Sequence, residues 1–218
     1  MNGETLAEQL QSGLRALGED PTTHPCDSYL DFIELLEKWN RAYNLSGIRQ
    51  KDAMLTYHVL DSLAVLPFLQ GSSALDVGTG AGLPGFILAL ARPDMHWVLL
   101  DSNRKKTLFL NQAMLELGVT NIEPVRCRVE DYRLARPFST IICRALMPAT
   151  AFCKLTEPLL DNTGRIIMMK ATAAEEENRR LDHERYTTQV QPLDVPGMEA
   201  ERQLLMIERH ITIGNSTV

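Results

Sequence analysis

No stretch of the 218-residue chain approaches the roughly 18 consecutive apolar residues of a membrane-spanning helix, so none is expected. The N-terminus is acidic and polar, with no basic stretch leading into an apolar one, so no secretory leader is expected either. Cysteine is scarce: Cys26, Cys127, Cys143 and Cys153 lack the paired spacing of a disulfide framework or a metal site. They read as reduced thiols, which makes the cytoplasm the expected location. No cluster of His, Cys, Asp and Glu has ligand spacing, so no metal is expected. Repeats and low-complexity tracts are missing too. Positive charge is in deficit: the formal net charge of -6 counts against a general nucleic-acid binder.

That deficit is unevenly spread. Residues 1–70 hold ten acids against five bases. Residues 101–144 hold eight bases (Arg104, Lys105, Lys106, Arg126, Arg128, Arg133, Arg136 and Arg144) against five acids. A local basic face is compatible with an acidic protein, and net charge leaves the partner open.

With 44% hydrophobic residues the chain can bury one good core. The first 70 residues read as helical. Leu6, Leu10, Leu14 and Leu17 recur at helical spacing over about 3–17. Asp27 is placed to cap a second helix running to about Tyr43. Trp39 and Tyr43, four apart on that helix, read as core. A third helix is expected from about Lys51 to Leu66, ended by Pro67. From Ser73 the rhythm changes to alternating strands and helices: strands near 74–77, 96–100, 122–127, 140–143 and 165–169, with helices near 84–91, 104–117 and 149–160. Such alternation means βαβ crossovers and a mainly parallel sheet. Two later apolar stretches, 190–195 and 203–207, can add an antiparallel pair at the edge. The expected organisation is a helical extension, residues 1–70, packed on a Rossmann-like α/β core, residues 71–218. Nothing in the chain specifies an oligomer, and a monomer is the default.

The sharpest local signal is Asp76-Val77-Gly78-Thr79-Gly80-Ala81-Gly82-Leu83-Pro84-Gly85. Glycines let the backbone turn tightly at a strand end and let a ligand come close, and Pro84 suits a first helical turn. The spacing is G-x-G-x-G; the dinucleotide pattern G-x-G-x-x-G fails because position 83 is leucine. A pyrophosphate needs an anion-binding helix start, whereas S-adenosylmethionine carries no phosphate and needs only room beside the loop. Asp101 ends the next strand about 20 residues on, where a carboxylate can accept the ribose hydroxyls of a nucleoside. The plainer alternative is a structural glycine turn with Asp101-Ser102 capping the following helix.

Beyond these features the chain resembles a known family, the bacterial small-subunit rRNA guanine-N7 methyltransferases, also called glucose-inhibited division protein B. The resemblance runs from about Leu30 to Ile207. It rests on Lys38-Trp39-Asn40-Arg41-Ala42-Tyr43-Asn44-Leu45, His58-Val59-Leu60-Asp61-Ser62, the glycine loop, Leu100-Asp101-Ser102, Asn121-Ile122-Glu123-Pro124-Val125, Arg128-Val129-Glu130, Arg144-Ala145 and Glu201-Arg202. It implies a seven-stranded class I S-adenosylmethionine-dependent methyltransferase fold with packed N-terminal helices. It also implies methylation of N7 of one guanine, G527 in reference numbering, in the 530 loop of 16S rRNA, within the small subunit or its assembly intermediate. Carried over by position, Gly78, Gly80 and Leu83 would line the methionine side of the cofactor, Asp101 the ribose, and Val129 and Glu130 the adenine. Arg144 would lie beside the cofactor and face the guanine. The chain departs from the family pattern at Cys143, Lys105-Lys106, Lys170-Ala171 and Gln203.

Guanine N7 has an in-plane lone pair and no proton to remove, so alignment and electrostatics can supply most of the catalysis. Arg144, after the fourth strand, is the leading candidate to orient substrate, against a surface salt bridge. Lys170, ending the fifth strand, has a similar address, against a solvated strand-end lysine. His58 reads as a structural histidine on its own and as a pocket-bordering residue through the resemblance. Asn44 is a surface candidate for RNA contact. Cys143 sits in an apolar strand, unlike the proline–cysteine context of the covalent cytosine-C5 enzymes. Two other function classes share this architecture: a nicotinamide dehydrogenase, which the glycine spacing disfavours, and a non-catalytic ribosome-assembly factor.

Overall fold

From residue 73 onward, short apolar segments rich in Val, Ile and Leu have the composition of strands buried on both faces. In the computed structural model, which describes residues 4–133, 136–144 and 146–210, they become β1 (Ser73–Val77), β2 (His96–Leu100), β3 (Ile122–Val125), β4 (Phe138–Arg144) and β5 (Leu160–Lys170). These five pair in parallel. The expected edge pair is present as β6 (Tyr186–Leu193) and β7 (Arg202–Arg209), antiparallel, and the sheet order is β3-β2-β1-β4-β5-β7-β6. This is the Rossmann-like, seven-stranded sheet of class I methyltransferases. Its strand order reverses between β1 and β4, so the carboxyl ends of these strands open the crevice where ligands bind in such folds.

The helices are α1 (Leu6–Ala16), α2 (Cys26–Tyr43), α3 (Lys51–Met54), α4 (Asp61–Leu63), α5 (Gly85–Ala91), α6 (Arg104–Glu116), α7 (Ala149–Thr156) and α8 (Ala174–Asn178). A Thr5/Glu8 capping box starts α1, while the expected start at residue 3 lies outside the described residues. Asp27 does not cap α2. The helix begins one residue earlier, behind Pro25 and with no side-chain cap, so Asp27 sits in the first turn, where its charge complements the helix dipole. The single helix expected over 51–66 is continuous over 51–63, as α3, a π-helical segment (Leu55–Leu60) and α4, and it stops short of Pro67, which falls in a separate 3-10 turn (Leu66–Phe68). Apolar periodicity is blind to such a widened turn, and π turns recur at functional sites. α7 stops at Thr156 because Glu157–Leu159, with Pro158, tighten into a 3-10 turn. The short α8 was not expected.

Two apolar layers sandwich the sheet. On one face Leu10, Leu14, Phe32 and Leu36 of α1 and α2 join Phe86, Trp97 and Phe109 in one cluster. The ring centroids of Phe32 and Phe86 are 4.9 Å apart, and those of Phe32 and Phe109 5.8 Å. The N-terminal helices thus cover that face. The other face packs Leu75, Ile141, Met168 and Leu205 against Phe152 of α7.

Candidate active site

At the carboxyl end of β1 the glycine loop is stitched to the end of β2: the Gly78 and Thr79 amides donate to Leu100 O at 2.8 and 3.0 Å. Gly78 has φ +70, a backbone conformation that demands glycine. Asp76 is fully buried beneath the loop. Its Oδ2 accepts from Thr79 Oγ1 at 2.6 Å and from the Gly85 amide at 2.8 Å, at the start of α5. Burial raises its pKa to about 6. The helix start that would receive a pyrophosphate in a dinucleotide site therefore already holds a protein carboxylate. Pro84 stands at the N-cap of α5, one position before the first helical turn.

Asp101 directly follows β2 with its carboxylate mostly buried. Oδ2 accepts from the Gly80 amide at 2.9 Å, and Oδ1 from the Asn103 amide at 2.8 Å. Asn103, not Asp101-Ser102, caps α6, accepting from the Lys105 amide at 2.9 Å. Asp101 therefore locks the loop to the strand end, and of a carboxylate's four acceptor sites Oδ1 keeps one for a ribose hydroxyl beside the Gly80, Asn103 and Lys106 donors. Lys106 Nζ lies 3.5 Å from Asp101 Oδ2. Beside these groups opens a cleft of about 410 Å³, lined by Gly78, Asp101, Lys106, Val129, Glu130 and Leu146 among others. Buried Val129 and exposed Glu130 come from a 3-10 turn after β3. The cleft fits a phosphate-free nucleoside: acceptors for hydroxyls, an apolar residue for a base, and no open anion-binding helix start. Leu83 is not among the lining residues. Its side chain is buried in the core, and its amide closes the loop onto Thr79 O at 2.9 Å.

A second pocket, about 310 Å³, adjoins β4 and β5 and is lined by Ser46, Tyr57, His58, Arg144, Lys170 and Arg202 among others. Under it lies Asp61, with no exposed surface. Asp61 Oδ1 accepts from Arg202 Nε at 2.9 Å, and Oδ2 accepts from Arg144 Nη1 at 3.3 Å. Arg144 Nη1 also donates to Tyr57 O at 3.1 Å. The Arg144 guanidinium is thus pinned by a buried carboxylate and a carbonyl of the π-helical segment, yet it still lines the pocket. The salt bridge set against a substrate role in the sequence exists, but with a buried carboxylate and not at the surface.

His58 lies in the same π segment. Its Nδ1 is 3.0 Å from Tyr57 O, a pure acceptor, so Nδ1 carries the proton and Nε2 accepts from Ser46 Oγ at 2.8 Å. Burial, then the charge of Arg144, lowers its pKa to about 4. His58 is a neutral imidazole with both nitrogens engaged. Asn40 holds the Ser46 loop in turn, donating to Ser46 O at 2.9 Å and Ile48 O at 3.0 Å. Lys170 lines the pocket too, but its ammonium is held by Glu177 Oε1 at 2.9 Å and Met147 O at 3.1 Å. Glu177 Oε2 also accepts from the Ala149 amide at 2.7 Å, at the start of α7. Burial pushes the Cys143 thiol far above its usual range, which leaves no thiolate for covalent catalysis.

The structure brings Arg144, Lys170 and His58 to one pocket and Gly78, Asp101, Val129 and Glu130 to its neighbour. Arg144 lines the former and not the latter. Asp61, Arg202, Tyr57 and Ser46 were given no role from the sequence. An aspartate three residues after His58 within an apolar helix was the available signal for Asp61. Ala145 lies outside the described residues. Tyr43 is not core: it is the last residue of α2 and 44% exposed, because the buried stripe ends at Asn40. Among the described residues no His/Cys/Asp/Glu group could hold a metal, and no helix is long and apolar enough to cross a membrane. A further cavity, about 560 Å³, lies away from these sites between α7 and the ends of β6 and β7, beside Glu157, whose carboxylate is taken by Arg185 and Tyr186.

Residues 26–210 match the family described as rRNA small subunit methyltransferase G. The chain is 43% identical over 202 residues to the ribosomal RNA small subunit methyltransferase G of Laribacter hongkongensis, covering 93% of this chain and 98% of that protein. It is also 43% identical to the protein of that name from Legionella pneumophila, covering 95% and 97%. Among solved structures, an rRNA methylase from Streptococcus thermophilus superposes with a TM-score of 0.50 at 21% identity, covering 69% of this chain and 93% of that one. TYW2 from M. jannaschii, solved in complex with AdoMet, gives 0.52 at 15% identity, covering 68% and 74%. These structural likenesses bear on the fold alone.

Proposed function

The chain belongs to the rRNA small subunit methyltransferase G family, and from that premise we propose that it transfers the methyl group of S-adenosylmethionine to N7 of a single guanine, G527 in reference numbering, in the 530 loop of 16S rRNA. The observation that carries the chemistry is the adjacency of the two pockets at the carboxyl ends of β1, β4 and β5. One is shaped for a phosphate-free nucleoside, and the other is lined by a pinned arginine. A dehydrogenase is disfavoured because Asp76 already occupies the Gly85 amide where a pyrophosphate would dock.

When bound, S-adenosylmethionine supplies an electrophilic methyl on a positively charged sulfur. Asp101 accepts from a ribose hydroxyl, Gly78 and Gly80 bring backbone close to the methionine side, and Val129 and Glu130 border the adenine. Arg144 donates to guanine O6 or to a phosphate, with its planar fork fixed by Asp61 and Tyr57 O. N7 carries no proton, so no general base is required. The environment of His58 agrees with this, since a neutral ring with both nitrogens engaged orients the pocket wall without titrating near pH 7. Lys170, neutralised by its ion pair with Glu177, shapes the wall of the pocket.

The preferred substrate is an assembled or partly assembled small subunit. An acidic chain with a modest basic surplus makes few phosphate contacts, so a naked hairpin binds poorly. The test incubates small subunits from cells lacking the gene with labelled cofactor, then maps N7-methylguanine by borohydride reduction and aniline cleavage. One modified guanine in the 530 loop is the expected result. Equal labelling of large subunits, or methyl groups on pyrimidines or protein, overturns the reading.

A further inference from the structure

On chain segments that lead to the two pockets, the surface carries an aromatic side chain that the chemistry above does not use. Tyr43 closes α2 and is 44% exposed, one of few large apolar side chains on the described surface. It is not loose. Trp39, one helical turn earlier, lies against it with ring centroids 5.2 Å apart at 33°, and Trp39 is itself wedged on core Phe109 at 5.8 Å. The ring is therefore presented to solvent on a rigid aromatic stack. Lys105 Nζ, from the first turn of α6, stands over it at 5.8 Å from the centroid.

The position of this pair relative to the pockets is fixed by both chain segments. After Tyr43, Asn44 turns left-handed (φ 51) and sends the chain into the loop that delivers Ser46 to His58 and to the wall of the arginine-lined pocket. On the other side, Lys105 is followed by Lys106, whose ammonium reaches Asp101 at the cofactor cleft. Tyr43 and Lys105 thus make a lip on the two segments that supply Ser46 to one opening and Lys106 to the other. Its charged neighbours are cationic: exposed Arg104 precedes Lys105, and Arg49 donates to Asn44 Oδ1 at 3.1 Å. Arg41 is tied to Glu37, whereas Lys105 forms no ion pair among the described residues.

We propose that Tyr43 is a stacking platform for an unpaired nucleotide next to the target guanine, with Lys105 taking that nucleotide's phosphate. The inference rests on the methyltransferase reading and names a docking residue for its RNA substrate. Three physical facts support it. An exposed ring held on a rigid stack loses little conformational freedom when a base is laid on it. Every base offers a π-face, so such a platform works without sequence readout. The lysine occupies the space over the ring only through a flexible stem, and can exchange the ring for a phosphate as a base moves in. A guanine drawn out of an RNA loop leaves neighbours unstacked, and an aromatic lip beside the pocket compensates for that lost stacking.

The test measures three quantities separately on wild type, Tyr43→Ala, Tyr43→Phe and Lys105→Ala: S-adenosylmethionine affinity by calorimetry, binding to unmethylated small subunits by co-sedimentation, and steady-state transfer. Tyr43→Ala should weaken subunit binding about tenfold or more and raise KM for the subunit by a similar factor, with kcat near wild type. Tyr43→Phe should keep binding and KM within about twofold, because the face and not the hydroxyl is used. Lys105→Ala should lower the slope of log affinity against log salt by about one. Cofactor affinity should be unchanged in all three. Subunit binding by Tyr43→Ala equal to wild type, or a loss that Tyr43→Phe shares in full, overturns the platform and leaves the methyltransferase reading standing. Wild-type protein that binds subunits without methylating them overturns the function instead, while the binding series still decides the role of Tyr43.

Discussion

The two adjoining pockets are built by opposite means. The cofactor cleft is a backbone object: a loop whose amides are tied to Leu100 O, Asp76 and Asp101, all within residues 76–103. The second pocket is a side-chain object. Asp61 holds Arg144 and Arg202 across 83 and 141 positions of sequence, and Ser46 meets His58 from another segment. A backbone cradle depends on local turn chemistry. A side-chain pocket depends on burying a carboxylate between two guanidiniums, so its geometry and the stability of the fold are one quantity. Removing the buried carboxylate under the second pocket should disturb folding and transfer together; perturbing Asp101 in the first should chiefly disturb cofactor affinity.

The largest effect should come from Asp61→Ala. Removing a fully buried carboxylate leaves two guanidiniums without their anchor, a loss of about 3–5 kcal/mol for such pairs. Because Arg144 and Arg202 keep some solvent contact, the lower end is expected. Denaturant unfolding should show this loss together with greatly reduced transfer, while S-adenosylmethionine affinity of the folded fraction stays near wild type. A variant of full stability with normal transfer breaks the contrast between the pockets.

Acid titration gives the next effect. His58 has a pKa of about 4 folded against 6.5 unfolded, so below pH 6.5 the unfolded chain takes up a proton the folded one refuses. About 3 kcal/mol of stability is lost as pH falls from 6.5 to 4. Asp76 runs the other way. Its folded pKa of about 6 lies above 3.8, so its contribution is fully present below pH 3.8 and lost as pH rises through 6. About 3 kcal/mol is therefore regained as pH falls through that window, and the two groups nearly cancel in wild type. The stability of His58→Gln relative to wild type should rise by about 3 kcal/mol between pH 7 and 4. A difference that stays constant over that range refutes the buried neutral histidine.

Smaller effects sharpen the same comparison. Asp101→Ala should weaken S-adenosylmethionine binding by about 1–3 kcal/mol, the scale of lost charge-assisted hydrogen bonds, and leave the fold intact. Unchanged calorimetric affinity in a folded variant removes Asp101 from the ribose. Arg144→Lys retains the charge but not the fork, so transfer should fall about tenfold at saturating substrates with little change in melting temperature. Near-normal turnover would mean that charge alone suffices in the pocket.

The chain announced the fold and the first pocket clearly. Alternating strands and helices predicted the sheet. Asp76 to Gly85 with Asp101 predicted the cleft, because a turn needing positive φ selects glycine at fixed offsets and the acidic partner follows one βαβ crossover later. Even so, the cap of α6 fell to Asn103, because both Asp101 oxygens turned to the Gly80 and Asn103 amides. The second pocket was legible only as separate residues. His58, Arg144 and Lys170 could be picked out, but not their partners, since no local pattern records which carboxylate will meet which arginine. Tyr43 was read as core because helical spacing defines a stripe but not where along the helix the stripe leaves the core.

What the sequence determined by itself was everything set by short-range backbone chemistry: the succession of strands and helices, and the glycine loop with its G-x-G-x-G spacing. Tertiary structure alone decided the rest. The π-helical segment at Leu55–Leu60 carries Tyr57 O and His58 toward Arg144, and the fully buried Asp61 draws β4 and β7 to one point. Those pairings arise from desolvation, which forces a buried charge to find its counter-charge wherever the fold brings one within reach.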